Sequence, residues 1–165
     1  VERITVFDTL RGYALNCAVA TELRWQQDAK HKRWWSDTEG NSHCILFDDD
    51  KRASPNQFDP SHNVTDAWTL DWGNWHWSYY ERYDQNSTIN PTWLDMEVCA
   101  IGQDAEADVT LLFADFGSKA EAHSTARCIV WLKARWVQRQ AIAKAVLAAI
   151  GEKVLSQGVN CSTLV

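Results

Sequence analysis

Between Asn74 and Tyr83 the chain alternates, with Trp75, Trp77, Tyr79, Glu81 and Tyr83 on one side and Asn74, His76, Ser78, Tyr80 and Arg82 on the other. A period of two predicts a strand. The alternation returns in Leu94, Met96, Val98 and Ala100 against Trp93, Asp95, Glu97 and Cys99, and a third apolar run occupies 108–116. Polar stretches at 85–92 and 102–107 separate the three runs, which together predict an antiparallel meander.

Elsewhere the period lengthens. Leu10, Tyr13, Ala14, Cys17, Ala18 and Leu23 fall at helical spacing behind Asp8 or Thr9 as N-cap, with Ala14, Ala18 and Ala20 as a small-residue stripe for close packing. Two short apolar runs flank the Asp, Gly and Asn residues of 37–42 and predict a hairpin or a structured loop. Residues 48–62 hold two of the three prolines and read as a surface connection, with 48–50 as a solvated acidic turn. A short helix is expected to start near Asp59 or Ser61, place Val64, Ala67, Trp68 and Asp71 on one side, and stop at Gly73. Residues 118–121 match a capping box, with a second start at Ser124, and helical spacing then runs from Ala126 to Ile150, ending at Gly151 before a frayed tail. The fold class is therefore α+β: a small antiparallel sheet, formed by the meander with a possible N-terminal hairpin, packed between helices and followed by a long C-terminal helix.

A chain of 165 residues fits one α+β domain, with 136–165 as a helical extension and frayed tail. The net charge of −6 argues against a surface that tracks nucleic-acid phosphates. There is no apolar run of roughly 20 residues and no basic-then-apolar leader, so a soluble intracellular protein without a membrane partner is expected. The five cysteines, at 17, 44, 99, 128 and 161, form no CxxC pair and are read as reduced, with Cys17 and Cys128 packed inside helices. His43 and Cys44 are strand neighbours that point to opposite faces, so no metal site and no cofactor are expected.

The candidate chemistry is that of binding. No local nucleophile–base signature and no glycine-rich phosphate loop occurs, so the chain is read as a non-enzyme. Asp95 and Glu97 share a strand face and are read as its wet side. If Trp75, Trp77 and Tyr79 face the core, the other face offers His76, Tyr80 and Arg82, a ring, an imidazole and a guanidinium able to stack on a base and hold a phosphate. Trp34, Trp35 and Trp93 are expected to join them. Arg127, placed near a helix N-terminus ahead of Lys133, Arg135 and Arg139, is a candidate anion site, with an ordinary polar helix face as the alternative.

The stretches "ALNCAVATEL", "FDPSHNVTDAWTL" and "TARCIVWLKA", in that order around an aromatic meander, resemble the phage ABA sandwich domain, a family of small bacteriophage and prophage proteins of uncharacterised function. The resemblance spans about residues 9–135, and its most specific parts are D-P-S-x-N-x-x-D-A-W at 59–68 and A-R-C-I-V-W-L-K-A at 126–134. It implies helices layered on a small antiparallel sheet, a phage origin and the cytoplasm of an infected bacterium; it brings no catalytic residues. The first expectation for function is a phage counter-defence protein that sequesters a nucleotide-derived small molecule without turnover. The alternatives are an interaction module that inhibits a host defence protein, through acidic residues 48–50 or an exposed Trp cluster, and a binder of single-stranded nucleic acid. Apolar spacing beyond Arg135 adds an expected homodimer through the C-terminal helix.

Overall fold

The computed structural model describes residues 6–84 and 92–161, so most of the turn expected at 85–92, and the tail beyond 161, lie outside the described residues. The fold is α+β, with two separate antiparallel sheets of three strands each. Helix α1 is Gly12–Glu22, and a sheet follows as β1 (Gln26–Gln27), β2 (Trp34–Ser36) and β3 (Ser42–Cys44). The expected hairpin is β2–β3, closed at Asp37, and β1 adds a third strand that two glutamines did not announce. Helix α2 (Val64–Trp68) leads into the meander β4 (His76–Asp84), β5 (Thr92–Gly102) and β6 (Ala105–Leu112). A 3-10 turn (Phe113–Asp115) then precedes α3 (Lys119–Cys161).

Both early helices start later than their sequence suggests. Gly12 has a φ of +47, outside the right-handed helical region, so helical geometry cannot run on from Asp8 or Thr9. An amide in the first turn of α1 is satisfied from a distance: Tyr13 N–H donates to Asp48 Oδ1 at 2.8 Å. The acidic turn is therefore tied down, since Asp50 also makes a two-pronged pair with Arg33 at 2.7 Å and accepts the Phe47 amide. The buried face of α1 is Leu15, Asn16, Val19 and Ala20, whereas Ala14 of the expected stripe is exposed. Asn63, neither Asp59 nor Ser61, caps α2, accepting the Thr65 amide at 2.9 Å.

Asp59 is instead the hub of a polar cluster under the loop before α2. Its carboxylate accepts from Asn16 Nδ2 and the Ser61 hydroxyl and lies 2.9 Å from His62 Nδ1, while its own amide donates to Asp66. Asn16 Oδ1 in turn accepts the buried Ser61 amide.

In the meander, facing residues form rows across three strands: Trp77, Ala100 and Ala107; Tyr79, Val98 and Val109; Glu81, Met96 and Leu111. The rows point to the core, but cover thins towards the β4 edge, from Val109 at 5% and Val98 at 1% exposed to Tyr79 at 50%. Tyr79 is thus on the predicted face yet not in the core, because what packs over that face covers β5 and β6 more fully than β4.

The helix α3 starts at the predicted box: Ser118 Oγ accepts the Glu121 amide at 3.1 Å, and the Glu121 carboxylate accepts the Gly117 amide at 3.2 Å. Ser124 is a buried residue inside the helix and starts nothing, and Gly151 lies within it rather than ending it. Every residue from 124 to 134 is buried, the mark of a segment packed all round. Its donors satisfy carbonyls of the 60–71 segment: Thr125 to Ser61, Cys128 to Pro60, Arg127 to Ala67 and Trp131 to Asp71. The two most specific stretches of the sequence are thus bonded to each other. Lys133 is buried too, with Nζ donating to Asp8 Oδ1 at 2.8 Å and to the Asp108 carbonyl, so neither it nor Arg127 belongs to a polar helix face.

The chain divides into two compact units, Val1–Ala134 and Arg135–Val165, the boundary falling inside α3. Among the described residues no helix is long and apolar enough to cross a membrane. Cys128 donates to a carbonyl in a fully buried setting that pushes its thiol pKa far up, and burial raises Cys17 as well; packing accounts for both.

Candidate functional site

A pocket of about 260 Å³ opens in the first unit between α2, the β4 edge and the first turns of α3. Its walls are aromatic: Trp68 from α2, and Trp77 and Tyr79, two apart on β4 and so on one face. From α3 come Ala120, His123, Ser124 and Arg127, a helical stripe at spacings of three and four.

Arg127 forms the polar end of the pocket. Its guanidinium carbon lies 4.2 Å from the centre of the Trp68 ring, 4.1 Å from Trp77 and 5.5 Å from Trp72, so two indoles cover it closely. Nε donates to the Ala67 carbonyl at 3.1 Å, but the buried Nη1 has no hydrogen-bond partner. The buried hydroxyl of Ser124, one helical turn earlier, has none either. Burial lowers the Arg127 pKa from its usual value, yet a guanidinium starts so high that it stays charged.

The rim is held by a second cluster. The Glu81 carboxylate lies 2.6 Å from His123 Nε2 and accepts from Lys119 Nζ at 2.8 Å, while Lys119 sits 3.5 Å above the Trp93 ring. Burial pushes the Glu81 pKa up, but the hydrogen bonds from Lys119 and His123 outweigh it and hold the group below its usual value. A carboxylate accepts, so His123 Nε2 carries hydrogen and the ring is fixed edge-on to Tyr79 at 4.8 Å.

Of the residues proposed from the sequence as ligand-binding, the structure brings only Arg127 to this pocket, and it does so by a different route. It lies in the third turn of α3, past the free amides of the helix start, so the anion site expected from the helix dipole is not formed there. Trp93 is one contact away, under Lys119. His76, Tyr80 and Arg82 alternate to the other face of β4 and do not line it; Arg82 is engaged by Asp95 in a two-pronged pair at 2.7 Å. That pairing also separates Asp95 from Glu97 as a carboxylate pair. Trp34 and Trp35 belong to the first sheet, Trp34 exposed and Trp35 in the core. His43 stacks on Trp25 at 4.1 Å and lies 2.9 Å from Asp37. The residues missed were Trp68, Trp77, Tyr79, His123 and Ser124. The spacing of His123 and Ser124 from Arg127 placed all three on one helix stripe, a signal available in the sequence.

Comparison of the chain with protein-family models, curated proteins and solved structures finds no match.

Proposed function

We propose that this chain is a binding module that holds a nucleotide-derived small molecule in the Trp68–Trp77–Tyr79 pocket and releases it unchanged. The observation that carries the reading is the pairing of aromatic walls with a buried, unsatisfied cation in one concave site. Stacking of a base on such a wall contributes roughly 1–3 kcal/mol. The resemblance to the phage family supplies a setting, in which sequestering a nucleotide-like signal of the host would serve counter-defence. Titration calorimetry with nucleosides, nucleotides and cyclic nucleotides tests the reading. Micromolar binding is expected, weakened about tenfold by Tyr79→Ala, a loss of about 1.4 kcal/mol within the stacking range. Silence across the panel removes the proposal.

A second reading is favoured by the mouth of the pocket. Trp68 is 60% exposed, and Tyr79 and Val64 are exposed beside it, an aromatic patch of the kind that anchors protein interfaces. Capture of a stoichiometric protein partner that Trp68→Ala abolishes, without any small-molecule binding, would select this reading.

The second unit supports a homodimer proposal. Trp136, Ala143 and Ile150 recur at sevens, as do Gln140, Leu147 and Val154, a two-position heptad seam. Leu147, Ile150 and Val154 are exposed along it. A seam with this repeat fits a second copy of the same helix, and Gln140 would fix its register. Sedimentation of the full chain is expected to show a dimer at micromolar concentration and a monomer after Leu147→Glu. A monomer for the unaltered chain at high concentration would rule the seam out.

A further inference from the structure

The guanidinium carbon of Arg127 lies 4.2 Å from the centre of the Trp68 ring and 4.1 Å from that of Trp77, two rings whose planes meet at 77°, so the indoles flank it from different directions and its unpartnered Nη1 is what remains for a ligand. What a guanidinium N–H can hold is an oxygen lying in the guanidinium plane, and an anionic oxygen is bound about twice as strongly as a neutral one. Arg127 is 6% exposed, Nη1 is unpartnered, and burial rather than a neighbouring carboxylate dominates its surroundings. The nearby Glu81 carboxylate is already engaged by Lys119 and His123. Ser124, 2% exposed, brings a second unpartnered donor to the same stripe of α3. Two donors left unsatisfied in a buried site mark a position that a ligand atom is built to complete.

We infer that the ligand enters with an oxyanion foremost, a phosphate or carboxylate attached to a flat ring, which seats against Arg127 Nη1 and Ser124 Oγ. The ring then lies at the mouth, against Tyr79 and the uncovered side of Trp68. At about 260 Å³ the pocket is smaller than the roughly 300–1,000 Å³ of common small-molecule sites, which suits one ring and one anionic group and excludes two joined nucleotides. This inference rests on the ring-binding reading above and adds the polarity and the size of what is bound.

The test is calorimetry on the full chain with four nucleosides, their 5′-monophosphates, benzoate and inorganic phosphate. A monophosphate is expected to bind at least about tenfold more tightly than its nucleoside, the least that a hydrogen bond to a charged group contributes. Ser124→Ala should reduce that affinity about tenfold without disturbing the fold, since the hydroxyl has no partner in the free protein. Arg127→Lys, which keeps the charge and loses the fixed fork, should reduce it at least as much, with circular dichroism confirming the fold. Equal binding of nucleoside and monophosphate overturns the oxyanion inference and leaves ring binding standing. Binding of benzoate or phosphate with no nucleotide binding supports the oxyanion and overturns the nucleotide reading. No binding of any probe overturns both.

Discussion

Replacing Trp131 with alanine is expected to destabilise the protein by about 3–5 kcal/mol, the range for removing a large aromatic side chain from a packed core. Trp131 is 1% exposed and lies in the stretch of α3 that is buried on every side. Its removal opens a cavity between α3 and the 60–71 segment and leaves the Asp71 carbonyl without the indole N–H that reaches it at 2.8 Å. Small domains have only about 5–15 kcal/mol in total, so a large part of the margin goes. In a chain of this length the melting temperature should fall by about 6–20 °C. Trp131→Phe separates the two contributions: it retains most of the ring and loses the hydrogen bond, and should cost about 1–3 kcal/mol. Denaturant titration of the three proteins decides it. A Trp131→Ala chain within 1 kcal/mol of the parent would mean that α3 and the 60–71 segment are not packed as described.

A second large effect is expected at Gly12, where a single methyl group meets two obstacles. The φ of +47 is unfavourable for any L side chain, and the added Cβ would lie 2.2 Å from Asp48 Oδ1. Asp48 must move, and the Tyr13 amide then loses its acceptor. Together the backbone and the lost hydrogen bond make Gly12→Ala destabilising by about 2–4 kcal/mol. Because both changes act through one contact, Gly12→Ala and Asp48→Ala should not be additive, and the double variant should be at least about 1 kcal/mol better than their sum. Additive losses would show that Asp48 does not cap α1.

The meander and the start of α3 were legible because their signals are local. Alternation fixes which residues of a strand share a face, and a capping box is completed within four residues. The pocket was less legible because the same alternation does not say how deeply each row is covered. Trp77 and Tyr79 were placed on the right face and assigned to the core, yet the cover over that face thins towards β4, and what covers a strand is a property of packing across the chain. Arg127 was recognised as a cation suited to an anion, but its aromatic surroundings come from α2 and β4, some 50 to 60 residues away. Asp8, Asp48 and Lys133 were misread for the same reason, since each finds its partner at a distance: Lys133 with Asp8, and Asp48 with the Tyr13 amide. Gly151 failed as a helix stop because a glycine inside a helix costs only about 1 kcal/mol, which a long helix absorbs.

The loop around Asp59 has no regular structure, yet it is fastened on three sides: to Asn16 of α1, to Asp66 of α2, and through the Pro60 and Ser61 carbonyls to Cys128 and Thr125 of α3. Loops with so many buried bonds do not open ahead of the elements they join. Asp59 and Ser61 therefore belong to the same cooperative folding unit as the helices, and their amides are expected to exchange with solvent only when that unit as a whole comes apart.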